Sequence, residues 1–196
     1  MAMNRTARLI MLGQLSLFLC LSICFLLIPH FLFESDEGGV SNYGTYARTI
    51  VPYTLGFGVC GVLTIRAALS LPKGSSYRTL RRALILLGAL YLLELFSTYP
   101  YKVNDIFNNI HVFISAVSAL YCMAIGIWFA LSVARNPVNI TLMLVQSLGF
   151  VVAALTYLSY LHVLFIAEMF TGAIFGVLLV HTVGEVTAPK TVLEMA

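Results

Sequence analysis

The sequence predicts an all-α polytopic membrane protein: one bundle of six transmembrane helices with both termini cytoplasmic. Three observations carry this reading. Of 196 residues, 60% are hydrophobic and 10% charged, whereas soluble domains run near one half and one quarter. The mean hydropathy is +0.96. The apolar residues fall into runs at about 9–33, 49–71, 83–98, 109–134, 140–158 and 161–183, most of them near the ~20 residues that cross a bilayer as helix. With an inside start, Arg5, Arg8, Arg66, Lys73, Arg78, Arg81, Arg82, Arg135 and Lys190 fall on the inner side, and only Arg48 and Lys102 on the outer. That asymmetry is the positive-inside signature of a cell-membrane protein.

Six spans in 196 residues leave little for a soluble domain, so residues 1–196 read as one transmembrane unit with an outer loop at 34–48. The first run, preceded by Arg5 and Arg8, is longer than the 7–15-residue core of a signal peptide and reads as a retained helix. Pro29, Pro52, Pro72, Pro100, Pro137 and Pro189 sit near run ends, where a missing N–H costs least. No run is broken at mid-membrane, as many transporters require. Gly56, Gly58 and Gly61, then Gly88, then Gly172 and Gly176 mark seams where backbones approach closely. The last pair, a GxxxG, would also permit a homodimer. Cys20, Cys24, Cys60 and Cys122 lie within the runs and read as packing residues. The sequons at Asn4 and Asn139 fall on the inner side and are discounted.

Ionisable groups inside the hydrocarbon are the informative feature. At about 1.5 Å per residue, Glu94 lies roughly 6 Å and Glu168 roughly 10 Å below the outer ends of their runs. Intramembrane carboxylates are expensive and usually face the bundle interior. Asn104, Asn108, His111, Ser115, Ser118 and Cys122 recur at steps of four and three, which places them on one helix face. Tyr91, Glu94 and Thr98 share a face of the third run, and Glu168, Thr171 and Gly172 one of the sixth. Three polar faces therefore occupy the outer half of the membrane. Each also has a plainer reading: His111 fixing register, Ser115 and Ser118 packing. Gln14 and Gln146 read as bonds between helices near the inner face, and His181 as an isolated inner residue. Tyr43, Tyr53, Tyr99, Tyr101, Tyr157 and Tyr160 read as an interfacial belt.

The chain has no P-loop, GxGxxG, GxSxG or HExxH. Ser115 and His111 at i, i+4, with Glu94 or Glu168, form a candidate catalytic set without a recognised oxyanion hole. Glu94, His111 and Glu168 offer N/O donors to a divalent metal, but no spacing rule supports one, and neither metal nor cofactor is expected. The net charge of +3 reads as attraction to anionic lipid. With no basic face interleaved with aromatics, nucleic acid is not an expected partner.

Ser41-Asn-Tyr-Gly44 in the outer loop precedes a glycine-rich second run. The third run ends in Tyr99-Pro100, and His111 to Ser115-Ala116 opens the fourth. In this order the chain resembles a bacterial and archaeal family of six-helix membrane proteins that is distantly similar to the FRAG/DRAM/Sfk membrane proteins. The resemblance implies a six-helix bundle with Ser41, Gly44 and His111 as outer-facing family positions. Its eukaryotic relatives, linked to lipid-anchor remodelling, membrane lipid organisation and autophagy, imply a lipid-related role.

The expectation is an outer-leaflet pocket for a lipid or amphiphile, with membrane lipids as partners. Glu94, Asn108, His111, Ser115 and Glu168 would line it, Ser41 and the 34–48 loop would cover it, and Arg48 would meet a lipid phosphate. An intramembrane lipid hydrolase or acyl transferase using His111 and a carboxylate is the alternative, and a proton-coupled carrier the third.

Overall fold

The computed structural model describes residues 4–29, 39–100, 103–158, 160–161 and 163–188. Its regular elements are all helical: α1 (Arg5–Leu27), α2 (Ile50–Ser70), α3 (Arg78–Thr98), α4 (Asp105–Trp128), α5 (Pro137–Tyr157) and α6 (Leu164–Val186). Short 3-10 turns occupy Val40–Thr45 and Ser75–Tyr77, and a π turn, Phe129–Val133, extends α4. Five helices are long and apolar enough to cross a membrane: α1, α2, α4 with its extension, α5 and α6. The remaining one, α3, has 21 residues, as many as α2, but carries Arg78, Arg81, Arg82 and Glu94.

Most helices begin a few residues before their apolar runs, because polar residues cap them. Asn4, Asn104 and Asn136 each accept a hydrogen bond from the backbone N–H three residues on, satisfying donors that the first turn leaves open. Pro137 occupies the first turn of α5, where its fixed φ suits a helix start. The third run begins earlier than its apolar stretch for a different reason. Arg81 reaches back to donate to the carbonyls of Leu71 (3.0 Å) and Pro72 (2.5 Å), so the basic turn of α3 closes the end of α2.

The helices pack in a ring in chain order. α1 lies against α2 and α6, α2 against α3, α3 against α4, and α5 against α6, while α4 touches α5 and α6 only sparsely. At the α2–α3 seam the backbones at Gly61 and Gly88 approach so closely that a Cβ on Gly61 would lie 2.9 Å from the Gly88 carbonyl oxygen. Gly172 and Gly176 face Phe18 and Gln14 of α1, so the GxxxG is used within the chain.

The buried core divides in two. One part, around Leu84, Leu87, Phe129 and Leu179, fills the end of the bundle where α2 finishes and α3 starts. The other, around Tyr43, Tyr53, Cys60 and Phe165, fills the opposite end. Large apolar side chains stand exposed outside the ring, Leu26 at 77% and Phe113 at 69%, as a lipid-facing surface requires and an aqueous one would not tolerate at this density. Near the first core part, Asn139 is fully buried. It donates to the Ala134 carbonyl at 2.7 Å and pairs with His181 Nδ1 at 2.9 Å. His181 is therefore tied to α5 rather than isolated.

Two tyrosines expected in the interfacial belt are core residues instead. Tyr43 and Tyr53 are fully buried, because each hydroxyl finds an internal partner: the Ile28 carbonyl at 3.2 Å and Thr98 Oγ1 at 3.1 Å. Tyr99 and Tyr160 are exposed. Tyr101, His30, His162, Lys102, Lys190 and the acids Glu34, Asp36 and Glu37 lie outside the described residues, as does the side chain of Tyr157.

Candidate functional site

Because α4 stands off from α5 and α6, the ring encloses a cavity of about 1250 Å³ at that seam. Its lining runs from Asn104 at the start of α4 to Cys122, and includes Gln14 of α1, Glu94 of α3, Gln146 of α5 and Glu168 of α6. Ala116, Ala119 and Leu120 of α4, Ala154 of α5 and Leu158 just after it combine lining with exposure, so the mouth opens sideways between those two helices.

The roof is the described end of the expected cover loop. Gly39, Val40, Ser41 and Asn42 line the cavity, and Val40, Asn42, Tyr43 and Gly44 are buried. Gly44 permits this seating: a Cβ there would meet Thr98 Cγ2 at less than contact distance and the Tyr53 ring at 2.9 Å. Tyr43 stands edge-on to Phe165, ring centroids 5.7 Å apart.

Two carboxylates hold consecutive roof residues. Glu168 Oε2 accepts from the Val40 backbone N–H at 2.7 Å, and Gly39, lacking a Cβ, leaves room for its approach. Glu94 Oε1 accepts from Ser41 Oγ at 3.5 Å, so the two acids meet at one strip of backbone although their helices are separated in sequence.

Glu94 is also the centre of the polar cluster. Its Oε1 accepts from Ser115 Oγ at 2.5 Å and lies 3.9 Å from His111 Nε2, while Oε2, equally buried, has no hydrogen-bond partner among the described residues. His111 is buried, with Nε2 3.5 Å from Ser115 Oγ and Nδ1 2.9 Å from Ser97 Oγ. Ser97 donates to the Glu94 carbonyl at 2.9 Å. A hydroxyl has one proton and a carbonyl can only accept, so both Ser97 bonds form together only when His111 donates from Nδ1. The tautomer is thus assigned from the network, and Nε2 turns toward Ser115 and Glu94.

Deeper in the cavity is a second polar layer. Gln14 donates to Tyr91 OH at 3.4 Å and Gln146 to the Cys122 carbonyl at 3.2 Å. These are the expected bonds between helices, but both glutamines also line the cavity. Ser118 Oγ, Thr171 Oγ1 and Gln146 Oε1 on the same lining are buried without partners among the described residues.

Of the sequence-derived candidates, Glu94, His111, Ser115, Glu168, Ser41 and Asn108 all line this one cavity, Asn108 exposed near its mouth. Arg48 does not: it is exposed and absent from the lining, because the chain turns outward after the roof to begin α2. Sequence reading missed Ser97, whose position three residues after Glu94 on α3 was the available signal. Among the described residues, no three His, Cys, Asp or Glu side chains are grouped to hold a metal ion. The chain matches no family model, no curated protein and no solved structure.

Proposed function

We propose that this protein is a six-span cell-membrane protein, N- and C-termini cytoplasmic, whose cavity binds a lipid or amphiphile from the outer leaflet. Counting α3 as the sixth span is supported by its length and by the position of its three arginines in one terminal turn, where long basic side chains reach the interface. Glu94, the remaining charge of α3, is buried inside the ring. The orientation follows from the basic residues gathered at that same end.

One observation carries the binding reading. A single cavity joins apolar walls, Leu17, Phe18, Phe150 and Phe175 among them, to a polar cluster of Glu94, His111, Ser115 and Glu168 at one end. Ligand sites of this kind are largely apolar, with a few convergent polar groups that fix orientation. A mouth between helices suits an occupant that arrives through lipid. The residues Ser41, Gly44 and His111, on which the resemblance to the FRAG/DRAM/Sfk membrane proteins rests, are roof and cluster residues, so a lipid-related role follows by analogy.

The geometry favours binding over hydrolysis or acyl transfer. Ser115 directs its proton to Glu94 at 2.5 Å and stands 3.5 Å from His111 Nε2, so the carboxylate, and not the imidazole of a Ser–His pair, holds the serine's proton. The group orienting Nδ1 is Ser97 rather than a carboxylate. The test is mass spectrometry of protein extracted in mild detergent. Wild type is expected to retain an amphiphile that Ala119→Phe, which obstructs the mouth, loses. Equal retention by both proteins, or none by either, rejects the proposal.

A further inference from the structure

We infer that the head group held in this cavity is a protonated amine, received by Glu94, and not a phosphate. The inference rests on the amphiphile-binding reading and specifies its ligand. The described lining carries the acids Glu94, Asp105 and Glu168 and neither lysine nor arginine. Arg48, the cation that the sequence offers to a phosphate, is outside it.

An acidic lining alone would not distinguish a site from a solvated surface, but the hydrogen bonding does. Glu94 is 8% exposed; its Oε1 is engaged by Ser115 and Ser41, and its Oε2 has no partner among the described residues. Ionised, Glu94 can only accept; a buried acceptor without a donor is costly, and a buried carboxylate whose nearest basic group is the His111 ring, 3.9 Å away, more so. An alkylammonium brings three N–H donors and a fixed positive charge to an ionised Glu94. An alcohol brings a donor without the charge, and a phosphate adds acceptors and like charge. Phe57 and Tyr91, also on the lining, present aromatic surface that tolerates a cation. Leu17, Leu21 and Phe175 receive the tail.

The experiment uses the full chain in nanodiscs of zwitterionic lipid, titrated with decylamine, decanol and decyl phosphate, which share one tail. Decylamine is expected to bind at least about tenfold more tightly than decanol, with decyl phosphate weakest. Glu94→Gln, which keeps the side-chain shape, should bring decylamine down toward the level of decanol. The head-group ranking in the wild type needs no variant, so a misfolded Glu94→Gln would not remove the test. Equal binding of the three compounds, all abolished by Ala119→Phe, overturns the amine and leaves amphiphile binding standing. If none of the three binds the wild type, both readings fall.

Discussion

At the scale of single residues, Gly44 is the most constrained position in the roof. Its hydrogen faces Thr98 Cγ2 and the Tyr53 ring, both on buried residues that are bonded to each other and have little room to retreat. Gly44→Ala therefore overpacks the joint between roof and bundle, and should cost about 1–3 kcal/mol, read as a lowered Tm in detergent. Gly74 is the control: a methyl group added there would meet no atom of the described residues within 4 Å, so Gly74→Ala should shift stability by no more than about 0.5 kcal/mol in either direction. The roof's importance was only half visible in the sequence. Ser41 and Gly44 stand out as turn residues in a polar loop, but nothing in the chain indicates that Tyr43 fills a core. An aromatic beside a membrane run reads as interfacial until its hydroxyl is seen to have an internal acceptor. Ser97 was hidden for a related reason. Serine at a helix end is common, and its bond to His111 depends on how α3 and α4 meet.

At the scale of elements, α5 and α6 are joined by a polar knot where α5 starts and α6 finishes. Asn136 caps α5 and donates to Glu185 Oε2 at 2.7 Å, and Asn139 binds the same oxygen at 3.3 Å while serving Ala134 and His181. Asn139→Ala strands the Ala134 carbonyl and the His181 ring nitrogen, and is expected to lose about 2–3 kcal/mol. Asn136→Ala removes a cap and should lose about 1 kcal/mol. Because both asparagines share Glu185, the double variant should lose less than the sum, a coupling that a double-mutant cycle of thermal unfolding measures. Additive losses would mean that the shared carboxylate contributes nothing. The helices were legible from apolar runs, but the starts of α1, α4 and α5 were placed three or four residues late, because the caps Asn4, Asn104 and Asn136 lie in the polar stretches before those runs. The polar stripe of α4 was legible from spacing alone, since helical periodicity fixes which side chains share a face. Which faces meet was not, because in lipid every outward surface is as apolar as the seams.

At the scale of the whole molecule, the charge distribution and the ring order make a joint prediction about orientation. Ser76, in the exposed turn between α2 and α3, and Arg48, exposed just before α2, stand at opposite ends of that helix. With a membrane-impermeant maleimide on intact cells, Arg48→Cys should label from outside and Ser76→Cys only after permeabilisation. The reverse pattern would invert the topology and move the cavity's polar end to the cytoplasmic leaflet. The asymmetry of arginine and lysine along the chain is what carries this prediction. The sparse contact of α4 with α5 was not readable, because a loose seam and a tight one are built from the same leucines and alanines.

That sparse contact has a thermodynamic consequence. On the proposed reading, a mouth facing the hydrocarbon would draw its occupant from the lipid phase, not from water. An alkyl chain partitions into that phase with about 0.8 kcal/mol per methylene, so a ten-carbon tail is concentrated by several orders of magnitude before it meets the protein. The tail then gains little by moving from lipid to cavity wall. Discrimination among occupants falls to the few atoms at the head, and potency measured against aqueous concentration will rise with tail length even when the protein itself is indifferent to it.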